Sequence, residues 1–255
     1  MIGRIRAFLR ATEDSVCDEA RPTAHGTALI TLSLPAVWQL NALRVEHGDA
    51  PAREVAAQAE ELQAGLLHRK LLVPDENLGE RLAPELNGMG WKATLLVVMA
   101  LRRAADRPPV RGGGEEVDRR AGAAALAAFR AEQQYEEHPD ALAQLEEMDE
   151  RFSRLVGARD FAAPPHRNDG CCRLFVRDGI GQVDQVGTLA AARNRGYARA
   201  AVQAAVAAAG AERLDPVFLV ADAEDWPRGF YERLGFDPVG GRMEFLRFAS
   251  GATPP

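Results

Sequence analysis

The sequence predicts an α/β (α+β) chain in which a mixed, mainly antiparallel sheet is flanked by helices, in two related domains. Three observations lead to this prediction. In the second half, short apolar runs are separated by Asp-Gly turns, which favour antiparallel hairpins. Helical segments and a continuous apolar run then alternate toward the end of the chain. Between the halves, "RRAADRPPVRGGGEE" at 102–116 breaks the periodicity on both sides and is the best linker candidate.

The elements of the second half follow from hydrophobic spacing. Apolar residues at helical intervals predict helices over 118–131 and 140–156. The next apolar runs predict an antiparallel meander of three strands: "RDFAA", "CCRLFV" and "QVDQVGTL". A helix, a buried strand, a short helix and a closing strand are expected after them, over 196–209, 216–222, 226–236 and 242–248.

The first half repeats part of this order. Residues 68–101 read strand, helix, Gly-Trp, strand, and the end of the chain reads strand, helix, Gly-Phe, strand. Duplication followed by divergence is the preferred interpretation, and chance resemblance between two α/β segments is the alternative. The predicted domains are therefore 1–106 and 107–255.

Composition restricts the class of protein. A net charge of −6 argues against a general nucleic-acid binder. No apolar run has the length of a membrane span, and the start of the chain is not typical of a signal peptide. Three cysteines do not make a disulfide framework. We expect a cytoplasmic monomer or homodimer with no nucleic-acid or membrane partner, and the arginine and alanine bias is typical of a GC-rich bacterial genome.

One stretch combines a strand end, a glycine and several arginines. In "VGTLAAARNRGYA" at 186–198, Arg193 and Arg195 precede Gly196, and Arg199 follows. A glycine at such a turn lets backbone N–H groups converge, and helix amides with arginine side chains bind phosphate. The stretch predicts a site for a phosphorylated ligand, and a tight turn beside a solvated face is the alternative. It is neither a P-loop nor a dinucleotide fingerprint, because both glycine patterns are absent.

These residues resemble a known family. "RNRGYA" at 193–198 is similar to the Gln/Arg-x-x-Gly-x-Gly/Ala motif of the GNAT superfamily of acetyl-CoA-dependent N-acetyltransferases. "FYERLGF" at 230–236 resembles the tyrosine-bearing helix and Gly-Phe of these enzymes. The resemblance covers 107–250, and the layout with a degenerate first copy is similar to two-domain GNAT proteins. It implies a GNAT-like fold, acetyl-CoA as co-substrate with no metal, and acetyl transfer to a primary amine by direct attack on the thioester.

The resemblance also implies where the coenzyme lies. The strand before the motif would separate from its neighbour, and the pantetheine arm would bond to the backbone of 186–188. The pyrophosphate would lie on the amides of 195–198, with the side chains of Arg193 and Arg199 free to help. The complete implied set for coenzyme binding is Val186, Gly187, Thr188, Arg193, Asn194, Arg195, Gly196, Tyr197, Ala198, Arg199, Trp226 and Tyr231.

Two residues are candidates for the chemistry. Tyr231 matches the family's tyrosine that protonates the coenzyme A sulfur, and a helix-packing aromatic is the alternative. Asp184 matches an acidic residue that many members carry on the strand before the motif, and would be the general base. Gln182 shares its strand face by alternation, and a solvated role for Asp184 is equally open. No cysteine or histidine shows metal-ligand spacing.

The acceptor is the least determined part. Residues 132–150 carry eight carboxylates and no Lys or Arg, which predicts either an acidic rim for a cationic amine or a plain solvated helix face. Small-molecule and peptide amines both remain open. The first half lacks the arginine–glycine turn, so we expect it to bind no coenzyme and to cover the second half or shape the acceptor cleft. The rival function is a non-catalytic acyl-CoA-binding or regulatory protein.

Overall fold

The computed structural model describes residues 1–110, 113–132, 139–164, 169–225 and 227–249. The elements of the first half are α1 Ile2–Val16, β1 Glu19–Thr23, β2 Gly26–Ile30, β3 Ala42–Val45, α2 Ala52–Leu62, β4 His68–Val73, α3 Glu76–Gly88 and β5 Lys92–Leu101. Those of the second half are β6 Glu115–Val117, α4 Arg119–Ala131, α5 Pro139–Phe152, β7 Ala158–Ala162, β8 Gly170–Arg177, β9 Ile180–Thr188, α6 Tyr197–Ala211, β10 Val217–Asp222, α7 Pro227–Arg233 and β11 Phe236–Phe248.

The eleven described strands form one sheet, in the order β1-β2-β3-β4-β11-β5-β10-β9-β8-β7-β6. Two pairs of neighbours are parallel, β3 with β4 and β9 with β10. The remaining neighbours are antiparallel. Helices pack against the sheet in three clusters of buried apolar side chains. The predicted mixed, mainly antiparallel sheet flanked by helices is therefore confirmed.

The predicted meander is also confirmed, as β7, β8 and β9. Asp178 and Gly179, with φ of 51° and 72°, form the tight turn between β8 and β9. The closing strand begins earlier than predicted, at Phe236 rather than 242. Its first part carries a proline and two glycines around a register shift between Pro238 and Gly240, which removes the alternating pattern that sequence reasoning needs.

The last strand of each half lies in the other half's part of the sheet. β11, from the end of the chain, lies between β4 and β5, and β5 in turn pairs with β10. Val97 and Met99 of β5 belong to the apolar cluster that contains α6 and α7 side chains. Met243 and Phe245 of β11 belong to the cluster beneath α2 and α3. Each apolar core therefore contains a strand from across the predicted 106/107 boundary.

Different helices pack on the two faces of the sheet in the second half. α6 and α7 pack on one face of β8, β9 and β10, and α1 and α5 pack on the other. The rings of Phe8 on α1 and Phe218 on β10 meet edge to face with centroids 5.3 Å apart, so α1 crosses the middle of the sheet. Among the described helices, none combines the length and apolarity that crossing a bilayer requires.

Candidate active site

The parallel strands of the second half stay together at one end only. β9 and β10 pair through Gly181–Val217 and Gln182–Phe218. Farther along, β9 continues beside β8, while β10 continues beside β5. The two strands therefore separate into a gap, which we call the second-half gap, walled by residues 184–188 and 219–222. Peptide groups on these strand edges have no strand partner and can bond to a ligand placed between them.

A bulge in β9 shapes one wall of this gap. The register against β8 shifts between Cys171 and Arg173, and Gln185 has a φ of 51°. A bulge of this kind bends a strand and redirects its side chains. Beyond it, Gly187 is buried, and a Cβ there would lie 2.8 Å from the ring of Phe129 on α4. Glycine at this position thus allows α4 to pack directly on the strand.

The arginine–glycine stretch forms the start of α6. Gly196 is the residue before the first helical turn and has a φ of 86°, a left-handed conformation that favours glycine. The first amide to bond back into the helix is that of Ala200, to the carbonyl of Gly196. The N–H groups of Tyr197, Ala198 and Arg199 are therefore free of intrahelical bonds. With no acidic residue in the first turn, this helix end favours an anion.

Three arginines around this turn lack partners among the described residues. Arg193 and Arg195 are exposed and Arg199 is half-buried. Within the part of the chain that the structure describes, none of the three forms an ion pair or a side-chain hydrogen bond. The guanidinium of Arg199 lies over the turn, because its Nη2 would be 3.4 Å from a Cβ at Gly196. Uncompensated charge at a helix N-terminus fits the phosphate groups of a coenzyme.

Asp184 lies on β9 where the gap opens. One carboxylate oxygen accepts from Nε2 of Gln182 at 2.9 Å, and the other accepts from the backbone N–H of Gln185 at 2.7 Å. The residue is exposed to solvent, although much of the surroundings of its carboxyl group is protein. This desolvation raises the pKa of Asp184, the nearby Asp149 raises it further, and the Gln185 amide and Arg173 oppose the shift. A carboxylate with a raised pKa is a better proton acceptor near neutral pH.

Tyr231 lies on α7, which packs against β10 and β11. Its ring is buried beside those of Phe230 and Phe236, with centroid distances of 5.1 and 6.4 Å. Burial raises the pKa of the phenol, and the charges of Asp184 and Cys172 raise it further. The phenol therefore keeps its proton at neutral pH. Tyr231 and Asp184 come from separate elements, and Asp184 is near enough for its charge to act on the phenol.

Sequence reasoning missed a charged network behind Asp184. Asp149 on α5 is buried and accepts hydrogen bonds from both terminal nitrogens of Arg130 and from Nε2 of Gln185 at 2.6 Å. Arg173, 1% exposed, donates from Nε to Asp160 at 2.8 Å. A charged residue inside an apolar strand such as "CCRLFV" was the available signal, because such a residue must find a buried partner.

Several carboxylates of the acidic segment at 132–150 form ion pairs or hydrogen bonds within the chain. Glu147 pairs with Arg151, Glu150 with Arg119, and Asp149 with Arg130, while Glu132 accepts the backbone N–H of Ala190. These carboxylates are used within the chain, which weakens the expectation of an acidic rim. Residues 133–138 and the predicted coenzyme contact Trp226 lie outside the described residues.

The cysteines lie in the core of this region rather than at a reactive surface. Cys171 and Cys172 are buried on β8, and burial raises the pKa of Cys171 to about 11. The described His, Cys, Asp and Glu side chains form no group of three or more that could hold a metal ion.

The fold and the site now define a class of protein. Residues 123–236 match the acetyltransferase (GNAT) family, and this span contains β9, the arginine–glycine turn, α6 and the tyrosine-bearing α7. The chain thus carries a GNAT acetyltransferase domain at 123–236, as its residues predict, and the GNAT family uses acetyl-CoA. A search of curated proteins finds no significant match.

Solved structures share the fold along most of the chain. A functionally unknown conserved protein from Staphylococcus epidermidis superposes with a TM-score of 0.68 at 16% identity, covering 89% of this chain and 92% of its own. A GCN5-related N-acetyltransferase from Kribbella flavida gives 0.61 at 16% identity, with 96% and 95% covered. A tandem GNAT protein from the clavulanic acid biosynthesis pathway gives 0.52 at 16% identity, with 79% and 70% covered. At these identities the likeness is one of fold.

Proposed function

We propose that the chain is an acetyl-CoA-dependent N-acetyltransferase that acts on a primary amine and uses its second half for the chemistry. The observation that carries the proposal is the anion site at the start of α6, which follows the strand β9 that borders the second-half gap. This site combines the free amides of α6 with three arginines that have no partner among the described residues, and nearby Asp184 raises the pKa of Tyr231. An anion site joined to a proton acceptor and a proton donor suits acyl transfer to an amine.

The chain's own residues would bind and orient the coenzyme. Acetyl-CoA supplies an acetyl group that is activated as a thioester. The amides at the start of α6 would hold its pyrophosphate, helped by Arg193 and Arg199. The edge of β9 from Val186 to Thr188 offers backbone hydrogen bonds along the gap. Gly187 is buried against the ring of Phe129, so α4 packs directly on this part of the strand.

Two side chains would move protons. Asp184 would accept the proton that the amine loses as it attacks, because its raised pKa makes the carboxylate a stronger base. Tyr231 would donate its phenolic proton to the departing sulfur, since its pKa keeps it protonated. Gln182 and the Gln185 amide would hold the Asp184 carboxylate in one orientation through their hydrogen bonds.

The acceptor we propose is a small-molecule or peptide amine that arrives as a cation. The support is the accessible carboxylate of Asp184 at the widening of the gap, which attracts a positive group. Buried Asp149 adds little attraction, because Arg130 already neutralises it.

The decisive experiment measures thiol release from acetyl-CoA with a panel of amines. The panel contains a free amino acid, a polyamine, an aminoglycoside, a short peptide and a lysine-containing protein. We expect release of one thiol per amine acetylated, with at least one member of the panel. Binding of acetyl-CoA by calorimetry without thiol release on any amine would favour the non-catalytic acyl-CoA-binding protein instead. Failure to bind at millimolar concentration would contradict both functions.

A further inference from the structure

A cavity of about 390 Å³ lies in the first half of the chain, away from the second-half gap. It lies where β3 and β4 separate, for these strands pair only through Leu43–Leu71 and Arg44–Leu72. α1 covers one side of it, and β11 contributes Gly241 and Arg242. The volume falls in the range of small-molecule sites. Because β11 comes from the end of the sequence, the cavity exists only when the last strand is in place.

The carboxylates on the cavity wall are already occupied. Glu13 accepts from Arg44 at 3.0 Å through one oxygen and from Arg242 at 2.8 Å through the other. Glu46 accepts from Nε of Arg44 at 3.2 Å and from the hydroxyl of Thr27 at 2.6 Å. A third wall residue, Asp75, uses one oxygen to cap α3. The wall therefore offers little acceptor capacity to a cationic ligand.

Two arginines on the wall make no side-chain hydrogen bonds within the described residues. Arg6 and Arg10 lie one helical turn apart on α1 and both line the cavity. Within the described ranges neither makes a side-chain hydrogen bond. Their contacts with carboxylates are ion pairs. Arg6 lies 3.9 Å from Asp75, and Arg10 lies 3.2 Å from Glu46 and 4.0 Å from Asp14. Arginine cannot lose its proton in a protein, so these donors persist at every physiological pH.

The rest of the wall is apolar, from side chains of Ala7, Leu9, Val45, Pro74 and Val98. Buried Arg44 and Arg242 also line the cavity, and Glu13 raises the pKa of each guanidinium against the effect of burial. A ligand that fits this arrangement supplies acceptor oxygens to α1 and an apolar body to the strands.

We propose that this cavity is a second ligand site, which binds a small organic anion whose carboxylate or phosphate group lies between Arg6 and Arg10. The site is independent of the proposed acetyl transfer, because it contains neither the arginine–glycine turn nor Tyr231. A carboxylate and a phosphate present the same charged oxygens to two guanidinium groups, so the experiment must separate them.

The test is calorimetric titration of the full chain with three probes of similar size: benzoate, phenyl phosphate and benzylammonium. We expect one or both anions to bind and benzylammonium not to bind. The double variant Arg6→Gln/Arg10→Gln should weaken anion binding at least about tenfold, since two charge-assisted contacts are lost. Arg4→Gln, on the same helix but off the cavity, is the matched control and should change nothing. Benzoate alone would identify a carboxylate site, and phenyl phosphate alone a phosphate site.

Three results would overturn the proposal: no binding of either anion up to about 10 mM, equal binding of benzylammonium, or unchanged affinity in a folded double variant. Phenyl phosphate bound at the start of α6 would be recognised because Gly196→Glu, not the double variant, removes it. An absent acetyl transfer would leave these titrations unaffected, so the two proposals can fail separately.

Discussion

The two strand gaps of this molecule share a backbone design and differ in chemistry. In each half two parallel strands pair through two residue pairs and then separate, β3 from β4 and β9 from β10. A carboxylate stands two positions past the last pair in both, Glu46 in the first half and Asp184 in the second. Glu46 is held by Arg44 and Thr27, whereas Asp184 bonds to neutral amides and remains accessible.

The helix that follows each gap shows the same divergence. α6 starts with Gly196 in a left-handed conformation and has no acid in its first turn, whereas α2 starts after Pro51 and carries Glu54 there. Tyr231 lies four positions before Gly235, the glycine that precedes Phe236. Four positions before Gly90, the matching glycine of the first half, α3 carries the buried Leu86. The separation of two strands thus makes room for a ligand, and the side chains around the gap determine which ligand fits.

The largest effect should come from Tyr231→Phe. Loss of the proton donor should lower turnover by about 10²–10⁴-fold while leaving acetyl-CoA affinity nearly unchanged, because the hydroxyl acts chiefly in the transition state. Thiol-release kinetics and calorimetry measure the two quantities. Leu86→Met, a volume-conserving change at the corresponding position of the first half, is the control and should keep turnover. Wild-type turnover in Tyr231→Phe would mean that the ring only packs.

Gly196→Glu should weaken acetyl-CoA binding by at least about 100-fold. The left-handed φ of 86° strains any side chain, and a carboxylate at this helix end repels phosphate. Gly48→Glu is the matched control, because a side chain there meets open space in the first half. Calorimetry on both variants checks the contrast, and Gly196→Ala separates backbone strain from charge. Equal affinity in a folded Gly196→Glu protein would remove the phosphate site from consideration.

Asp184→Asn should lower turnover about 10–100-fold and remove the acidic limb of the pH–rate profile.

The same variant should raise the stability of the folded chain. Because the folded-state pKa is raised, the charged form is less favourable in the folded chain than in the unfolded chain. The variant should therefore gain in melting temperature over the wild type as pH rises above about 4. Asp178→Asn, in the exposed turn between β8 and β9, is the control. A retained acidic limb in Asp184→Asn would point to another base.

The smallest effect concerns single arginines. Arg193→Gln and Arg199→Gln should each weaken acetyl-CoA binding about three- to tenfold, because each removes one charge-assisted contact that water partly replaces. The loss should shrink as salt is added. Arg53→Gln, in the first turn of the corresponding helix α2, should leave affinity unchanged. Affinities that do not depend on salt would indicate that the arginines merely face solvent.

Local sequence patterns predicted much of the structure of the second half. The Asp-Gly turn predicted the β8–β9 hairpin, and the arginine–glycine stretch predicted an anion site where the structure has Gly196 with a positive φ. Before residue 68 the same reasoning assigned no elements, and α1, β1 to β3 and α2 were found only in the structure. β1 explains why, because its short, exposed "EARPT" has no apolar face to detect.

The site residues predicted from sequence were those with a local motif. Asp149, Arg173 and Phe129 were not predicted, because their roles depend on contacts between elements far apart in sequence. Buried Asp149 reads as one more acid in a charged helix until Arg130 and Gln185 are seen to surround it. The candidate anion cavity could not be predicted from the sequence for the same reason, since residues of α1, β3 and β11 line it together.

The sequence by itself determined the class of fold, the family and the turn at Gly196, because these depend on residue types at short spacing. Outside the β7–β8–β9 meander, tertiary structure decided which strand lies beside which. β5 and β11 are both long strands that follow a helix and a Gly-aromatic pair, so either could close either half. Their exchange is settled by packing, where Met99 fits beneath α6 and α7 and Phe245 fits beneath α2 and α3. The free energy of such packing depends on side chains from the whole core, which lie far apart in sequence, so no local sequence pattern predicts it.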